Sequence, residues 1–344
     1  NDATLYETDG STLSAVTLPD TFTPGDVGYI NGRFLVGKLN THRYYWSGVA
    51  NTTFDALDYA SAEMAPDALE GFGIATDEVW FFGASSVEVA QPTADPDAPF
   101  VRVQGRAYDM GCASKHTIVK IGGGIVWVGA DDKIYSTAGG VAEISNSAMV
   151  ERVRDSVAAN LRAWRVVVDG HEFYVLTTTA GTFAYDITTR LWTQFESVGL
   201  TTLRAHVGTQ FGTGSFIAGD SENGTIWTVS ETVRTDDGGV IAMEVGGMLT
   251  VKTPTRCDRV RLDVTVGSAD TLAEDPMVAM CWSDDDGGTY SDWLLAPLGR
   301  QGNRLTRVEW RRLGMMGIRH SRRRIFRFRI TDPVSLSIRT AEVI

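Results

Sequence analysis

The sequence predicts an all-β protein: a β-propeller-like array of antiparallel blades with one amphipathic helix, then a C-terminal antiparallel β-sandwich-like region. Three observations carry this. The chain of 344 residues holds 36 glycines that punctuate short aromatic and β-branched runs. Asn-Gly and Asp-Gly pairs, the strongest short-range hairpin signals, join such runs. Tryptophan returns at Trp46, Trp80, Trp127, Trp164, Trp192 and Trp227, at intervals of 34, 47, 37, 28 and 35 residues. A four-stranded propeller blade takes roughly 40 to 50 residues. No strict blade motif accompanies the tryptophans, so the period specifies many antiparallel strands more firmly than it specifies blades.

Taken in order, Arg33-Phe34-Leu35-Val36 leads to Tyr44-Tyr45-Trp46, and Asp77-Glu78 introduces Val79-Trp80-Phe81-Phe82. Gly122-Gly123-Gly124 reads as a turn into Ile125-Val126-Trp127-Val128, which turns again at Asp131-Asp132 into Ile134-Tyr135-Ser136. Val166-Val167-Val168 and Phe173-Tyr174-Val175 flank Asp169-Gly170, and Ile226-Trp227-Thr228 follows Asn223-Gly224. Between Ser147 and Trp164 the apolar positions Val150, Val153, Val157, Leu161 and Trp164 fall at helical spacing, which predicts the helix there. From about Val240 the texture changes. Val260, Leu262, Val264 and Val266 alternate with Arg259, Arg261, Asp263 and Thr265, and Phe326, Phe328 and Ile330 oppose Arg327 and Arg329. Such alternation suits half-buried antiparallel strands. The expected domains are 1–235 and 236–344.

The formal charge is −12, which disfavours non-specific nucleic-acid binding because an anionic surface repels phosphate. No run of about 18 uncharged apolar residues occurs, so no membrane insertion is expected. Asn1-Asp2-Ala3-Thr4 has neither the basic flank nor the apolar stretch of a signal peptide, and it lacks an initiator Met. Cys112, Cys257 and Cys281 are far apart and odd in number, which argues against a disulfide framework; Cys257 and Cys281 would pair only if adjacent strands met there. Charge is unevenly spread. Arg300 to Arg329 holds eleven arginines and one acid, Glu309. A block of this kind marks an interface or a solvated sheet face.

Ser283-Asp284-Asp285-Asp286-Gly287-Gly288-Thr289-Tyr290 fits an Asp-box. Its expected role is a structural turn: the Asp285 carboxylate bonds turn amides, Ser283 supports it, Gly287 permits positive φ, and Tyr290 plugs the core. Calcium binding through Asp284, Asp285 and Asp286 would need later ligands, among them a terminal Glu, that are missing. Gly32 to Lys38 has phosphate-loop spacing, but Leu39 replaces the magnesium-binding hydroxyl and the intervening residues alternate like a strand. His42, His116, His171, His206 and His320 lack metal-site spacing, and no nucleophile elbow or zinc-protease motif occurs. No cofactor, metal or catalytic residue is therefore assigned. Arg319, Arg322, Arg323 and Arg324, with Arg311 and Arg312, are the candidate interface residues.

The order of several short motifs then resembles one family, the packaged-DNA stabilisation proteins, or tail hub factors, of short-tailed bacteriophages. The resemblance runs through Asn31-Gly32-Arg33-Phe34 with Tyr45-Trp46-Ser47, Phe54 to Tyr59 with Ala60-Ser61-Ala62-Glu63, and Phe82-Gly83-Ala84-Ser85-Ser86-Val87-Glu88. It is strongest where the Asp-box precedes Arg307-Val308-Glu309-Trp310-Arg311-Arg312-Leu313-Gly314, Arg327-Phe328-Arg329 and Thr331-Asp332-Pro333-Val334. Members carry additional sequence before the region matching Asn31, so the Met-less start fits either a chain missing its first blades or a shortened relative.

The resemblance implies a structural, non-enzymatic virion protein, assembled in the bacterial host cytoplasm. It would plug the portal and adaptor channel, retain packaged DNA and connect to the needle or distal tail, as a ring-shaped homo-oligomer, a hexamer by resemblance. DNA would pass nearby without sequence-specific binding. The competing class is a propeller glycosidase similar to sialidases, suggested by the Asp-box, or a host-glycan-binding tail protein. Sialidase-like propellers repeat the box and centre their arginines; here there is one box, outside the expected propeller.

Overall fold

The computed structural model describes residues 4–62, 67–212, 214–266, 275–299, 305–317 and 322–344. The chain divides into two compact units, Asn1–Glu196 with Leu200–Val229, and Ser197–Gly199 with Ser230–Ile344. Among the described residues the strands of both pair antiparallel, and the first holds a single α-helix.

The first unit opens with the hairpin Tyr6–Thr8 and Leu13–Ala15. Five sheets follow, each a meander in chain order. The first four have four strands and the fifth has three. Their first strands are Pro24–Ile30, Leu69–Ala75, Val119–Ile121, Arg162–Val168 and Ala205–Phe211, starting at intervals of 45, 50, 43 and 43 residues. The repeat is therefore more regular than the tryptophans suggest. Trp46 lies on a third strand, Trp80 and Trp127 on second strands, Trp164 on a first and Trp192 on a fourth, so their spacing mixes inequivalent positions. The better marker is a two-residue turn between first and second strands. Asn31-Gly32, Gly122-Gly123 and Asp169-Gly170 all place both central residues at positive φ, as type I′ hairpins require.

Continuous apolar runs arise because the middle strands are buried on both faces. Alternate residues of one strand then serve successive interfaces. Val79 and Phe81 join Leu35, Tyr44 and Trp46 of the first sheet, whereas Trp80 and Phe82 join Ile125 and Trp127 of the third. Val126 and Val128 in turn pack with Tyr174, Leu176 and Phe183 of the fourth, and Val175 and Trp164 pack with Phe216 and Ala218 of the fifth. Each of these four buried clusters thus joins consecutive sheets. Polar ties cross the same seams: the Trp127 indole donates to Gly111 O at 3.0 Å, and the Tyr174 hydroxyl donates to Thr117 O at 3.0 Å.

The helix is shorter than its periodicity predicts. It spans Ser147–Arg154, capped by the Asn146 carbonyl oxygen of the side chain accepting from Met149 N at 2.9 Å. Met149 and Val153 face the core, while Val157 is already extended and exposed. A 3-10 turn, Ala158–Asn160, follows, and Trp164 belongs to the strand Arg162–Val168. The β-branched run Val166-Val167-Val168 pairs with Phe173, Glu172 and His171. The apparent helical stripe was thus a coincidence of helix, turn and strand.

In the second unit, one sheet runs in the order Met243–Thr250, Arg323–Ile330, Met277–Ser283, Leu294–Pro297, and another runs Thr306–Arg311, Arg259–Val266, Leu336–Val343. Val260, Leu262, Val264 and Val266 pack with Val278, Met280, Phe326, Phe328 and Trp310 in one core. The alternation expected from sequence is reproduced: Arg259–Val266 is buried at every second position. All three cysteines are buried thiols, so Cys257 and Cys281 are not joined. Burial pushes the Cys112 thiol up to about 12. No helix is long and apolar enough to cross a membrane among the described residues.

Candidate functional site

The arginine block becomes a set of distinct environments once it is laid on the strands. Along Arg323–Ile330 the even positions face inward. Phe326, Phe328 and Ile330 occupy that row, and so does Arg324, 1% exposed. A guanidinium there must be paired and hydrogen-bonded to be tolerated. Asp284 supplies both: Arg324 Nε and Nη2 donate to its two carboxylate oxygens at 2.7 and 2.8 Å. Arg324 Nη1 and Nη2 also donate to the carbonyls of Leu313 and Met315, at 2.7 and 3.1 Å. Arg324, expected at an exposed interface, is therefore an internal staple between the Asp-box and the 313–315 turn.

Within the Asp-box, Ser283 Oγ donates to Asp285 Oδ1 at 2.7 Å and accepts from Gly287 N at 2.9 Å. Thr289 N and Oγ1 donate to the Asp285 carboxylate at 2.8 and 2.6 Å. Asp286 and Gly287 take φ of 57° and 95°. Tyr290 differs from expectation. It is half-buried outside the core cluster, beneath Arg327, whose guanidinium lies 4.0 Å from the ring centroid. Arg329 lies similarly over Trp293 at 4.5 Å, and both arginines pair with Glu244.

On the other sheet Glu309 gathers Arg311 at 2.9 Å, Arg261 at 3.1 Å and Arg259 at 3.4 Å. Arg307 pairs with Asp263 at 3.1 Å. Much of the block's charge is thus neutralised within the fold. Arg311, Arg312, Arg322 and Arg323 remain exposed, Arg312 at a turn with φ 64° and Arg322 donating to the Lys252 carbonyl. Arg319 lies outside the described residues. Among the described residues no three metal-ligating side chains come together, and Asp284 is occupied by Arg324.

Two of these carboxylates tie the sandwich to pH. Hydrogen bonds from the Thr289 side chain, then its amide, hold Asp285 down to about 2, and the bond from Arg311 with those from Arg261 holds Glu309 down to about 2. Folded-state values below the unfolded ones stabilise above the ordinary carboxylate range and are lost as pH falls through about 2. The thermal midpoint of the sandwich is expected to fall between about pH 4.5 and 2, by a modest amount because both carboxylates face solvent, and Asp285→Asn with Glu309→Gln should flatten that fall. Calorimetry across this range checks it; an unchanged slope in the double variant would refute it.

Residues 1–234 match the family model described as bacteriophage P22 Gp10, beta-propeller, and residues 247–344 match the one described as bacteriophage P22 Gp10, beta-sandwich. The chain belongs to the bacteriophage P22 Gp10 family. This is the tail hub and DNA-stabilisation family that the motif order resembles, and its members are structural components of the virion tail. The Gp10-family chain matches no curated protein sequence.

Similar solved structures include the extracellular domain of BT4673 from B. thetaiotaomicron, with 14% identity, 66% of this chain and 29% of that one covered, and TM-score 0.40. PorZ of the Porphyromonas gingivalis type-IX secretion system has 14% identity, 60% and 25% coverage and TM-score 0.37. Kluyveromyces lactis Hsv2 has 11% identity, 57% and 71% coverage and TM-score 0.30. The chain spans about 29% of the first of these.

Proposed function

We propose that this Gp10-family chain is a hub subunit of a short phage tail that plugs the channel beneath the portal and adaptor ring. It retains packaged DNA, receives the needle or distal tail, and acts as a ring-shaped homo-oligomer assembled in the bacterial cytoplasm. The observation that carries the reading is the family match over both units, 1–234 and 247–344. The modules are taken as 1–235 and 236–344.

Charge supports a division of labour. Residues 1–234 carry 28 acids against 15 Lys and Arg, a surface along which DNA slides without sticking. Arg311, Arg312, Arg322 and Arg323, with Arg319, form the protein contact, and Arg324 holds the adjacent turn from beneath. The Asp285 carboxylate is spent on its own turn, which gives a glycosidase reading no support from the box.

The test is to delete the gene, complement with wild-type or Arg311→Glu/Arg312→Glu chains, and measure nuclease-protected DNA and attached tail proteins. Particles that package and then lose DNA and needle, with partial loss in the charge-reversed variant, are the expected result. Full particles that merely fail to adsorb or to degrade a surface glycan would overturn the hub in favour of the glycan-binding or glycosidase reading.

A further inference from the structure

The first strands of consecutive propeller sheets lie against one another, and a cleft of about 240 Å³ opens where the chain enters them. Glu70, on the first strand of the second sheet, lines it together with Lys115 and His116, in the 3-10 turn that leads into the third. Asn40 joins them from the turn after the second strand of the first sheet. Ala158 and Ala159, in the turn before Arg162, complete the lining with side chains too short to fill the space.

Lys115 is anchored here on a carbonyl. Its Nζ donates to Gly25 O, which leaves two of the three ammonium donors unspent. Asp26, which feels the Lys115 charge, is itself engaged by Phe72 N at 2.8 Å. Burial first, then the charges of Arg162 and Lys115, push His116 below its ordinary value, so at neutral pH its ring is uncharged and offers an N–H. Burial and Arg162 push His206, on the first strand of the fifth sheet, the same way. Residues 1–234 carry 28 acids against 15 Lys and Arg, so this cationic rim reverses the sign of its surroundings.

An ammonium, an imidazole N–H and an amide in one cleft suit an oxyanion, and Glu70 narrows the choice. A carboxylate only accepts. An anion that carries an O–H can bond it, whereas one without a proton sets acceptor against acceptor. Phosphate and its monoesters hold a second proton up to about pH 6, and sulfate and phosphodiesters hold none there.

We infer that the cleft at the head of the inner strands is a receptor for a phosphate monoester or inorganic phosphate, which accepts from Lys115, His116 and Asn40 and donates its own O–H to Glu70. The site is independent of the hub reading and would stand if that reading fell.

The test is calorimetric titration of the full chain at about pH 6 and fixed ionic strength with inorganic phosphate, methyl phosphate, sulfate and dimethyl phosphate. The first two are expected to bind about tenfold or more tightly than the last two. Glu70→Gln supplies an amide N–H in place of the carboxylate, so it should strengthen sulfate binding about tenfold, a gain that misfolding cannot produce. His116→Ala, at an exposed position, should weaken phosphate binding about threefold to tenfold. A 5′-phosphorylated dinucleotide and its unphosphorylated twin separate the sources: binding of the phosphorylated form alone extends the site to a strand end, and binding of neither assigns it to free phosphate and small monoesters. Equal affinity for phosphate and sulfate, sulfate binding unchanged in Glu70→Gln, phosphate binding unchanged in His116→Ala, equal binding of the two dinucleotides, or no phosphate binding would each overturn the site.

Discussion

Replacing Asp284 with alanine is expected to cost the sandwich about 3 to 5 kcal/mol, the range for stranding one member of a buried ion pair. The size follows from asymmetry. Arg324 sits in the inward row and cannot lose its proton, so without Asp284 a full charge faces Phe326 and Trp282 with no carboxylate against it, and the Leu313 and Met315 carbonyls are left to accept from it. Removing the cation instead is milder. Arg324→Met fills a similar volume and leaves Asp284, partly exposed, to find water; its cost is about 1 to 3 kcal/mol, set by the orphaned Leu313 and Met315 carbonyls. Urea unfolding of both variants tests the order. Equal losses, or a larger loss for Arg324→Met, would show that the ion pair is not what holds the turn.

Gly111→Ala is the second large effect, about 3 kcal/mol against the propeller unit. Gly111 has φ of 50°, and a Cβ there would stand 2.4 Å from the Ala84 carbonyl oxygen. That oxygen is backbone, and its turn is fixed by Ala84 N donating to Ala68 O and Cys112 N donating to Gly83 O. Left-handed strain of about 1 to 2 kcal/mol therefore adds to overpacking of about 1 to 3 kcal/mol. Gly139→Ala separates the two contributions. Gly139 has φ of 83° with nothing near its missing Cβ, so it should cost only the conformational part, about 1 kcal/mol. Thermal unfolding of the pair is the measurement, and similar midpoints would place the whole effect in φ.

Much of this architecture was legible in the residues. Asn31-Gly32 and Asp169-Gly170 announce hairpins because only a few residue types accept positive φ at both turn positions. The alternation of Arg259–Val266 announces one buried face. Even Arg324 was legible: counting back by twos from Ile330, Phe328 and Phe326 reaches it on the inward row. What sequence could not supply was its partner, since Asp284 is forty positions away and only strand pairing brings them together. The helix overran for a related reason. Helical spacing persisted through Leu161 and Trp164 although the chain had become strand, and periodicity does not see where hydrogen bonds change partners.

The seams between sheets have a mechanical consequence. Because four buried clusters couple each sheet to the next in order, the unit resembles a row of latches in series. Pulled from its ends, such a row yields one latch at a time, each releasing about 45 residues and so roughly 150 Å of slack. Work is then absorbed in instalments, and a sheet torn from one end leaves the grip of the remaining sheets intact.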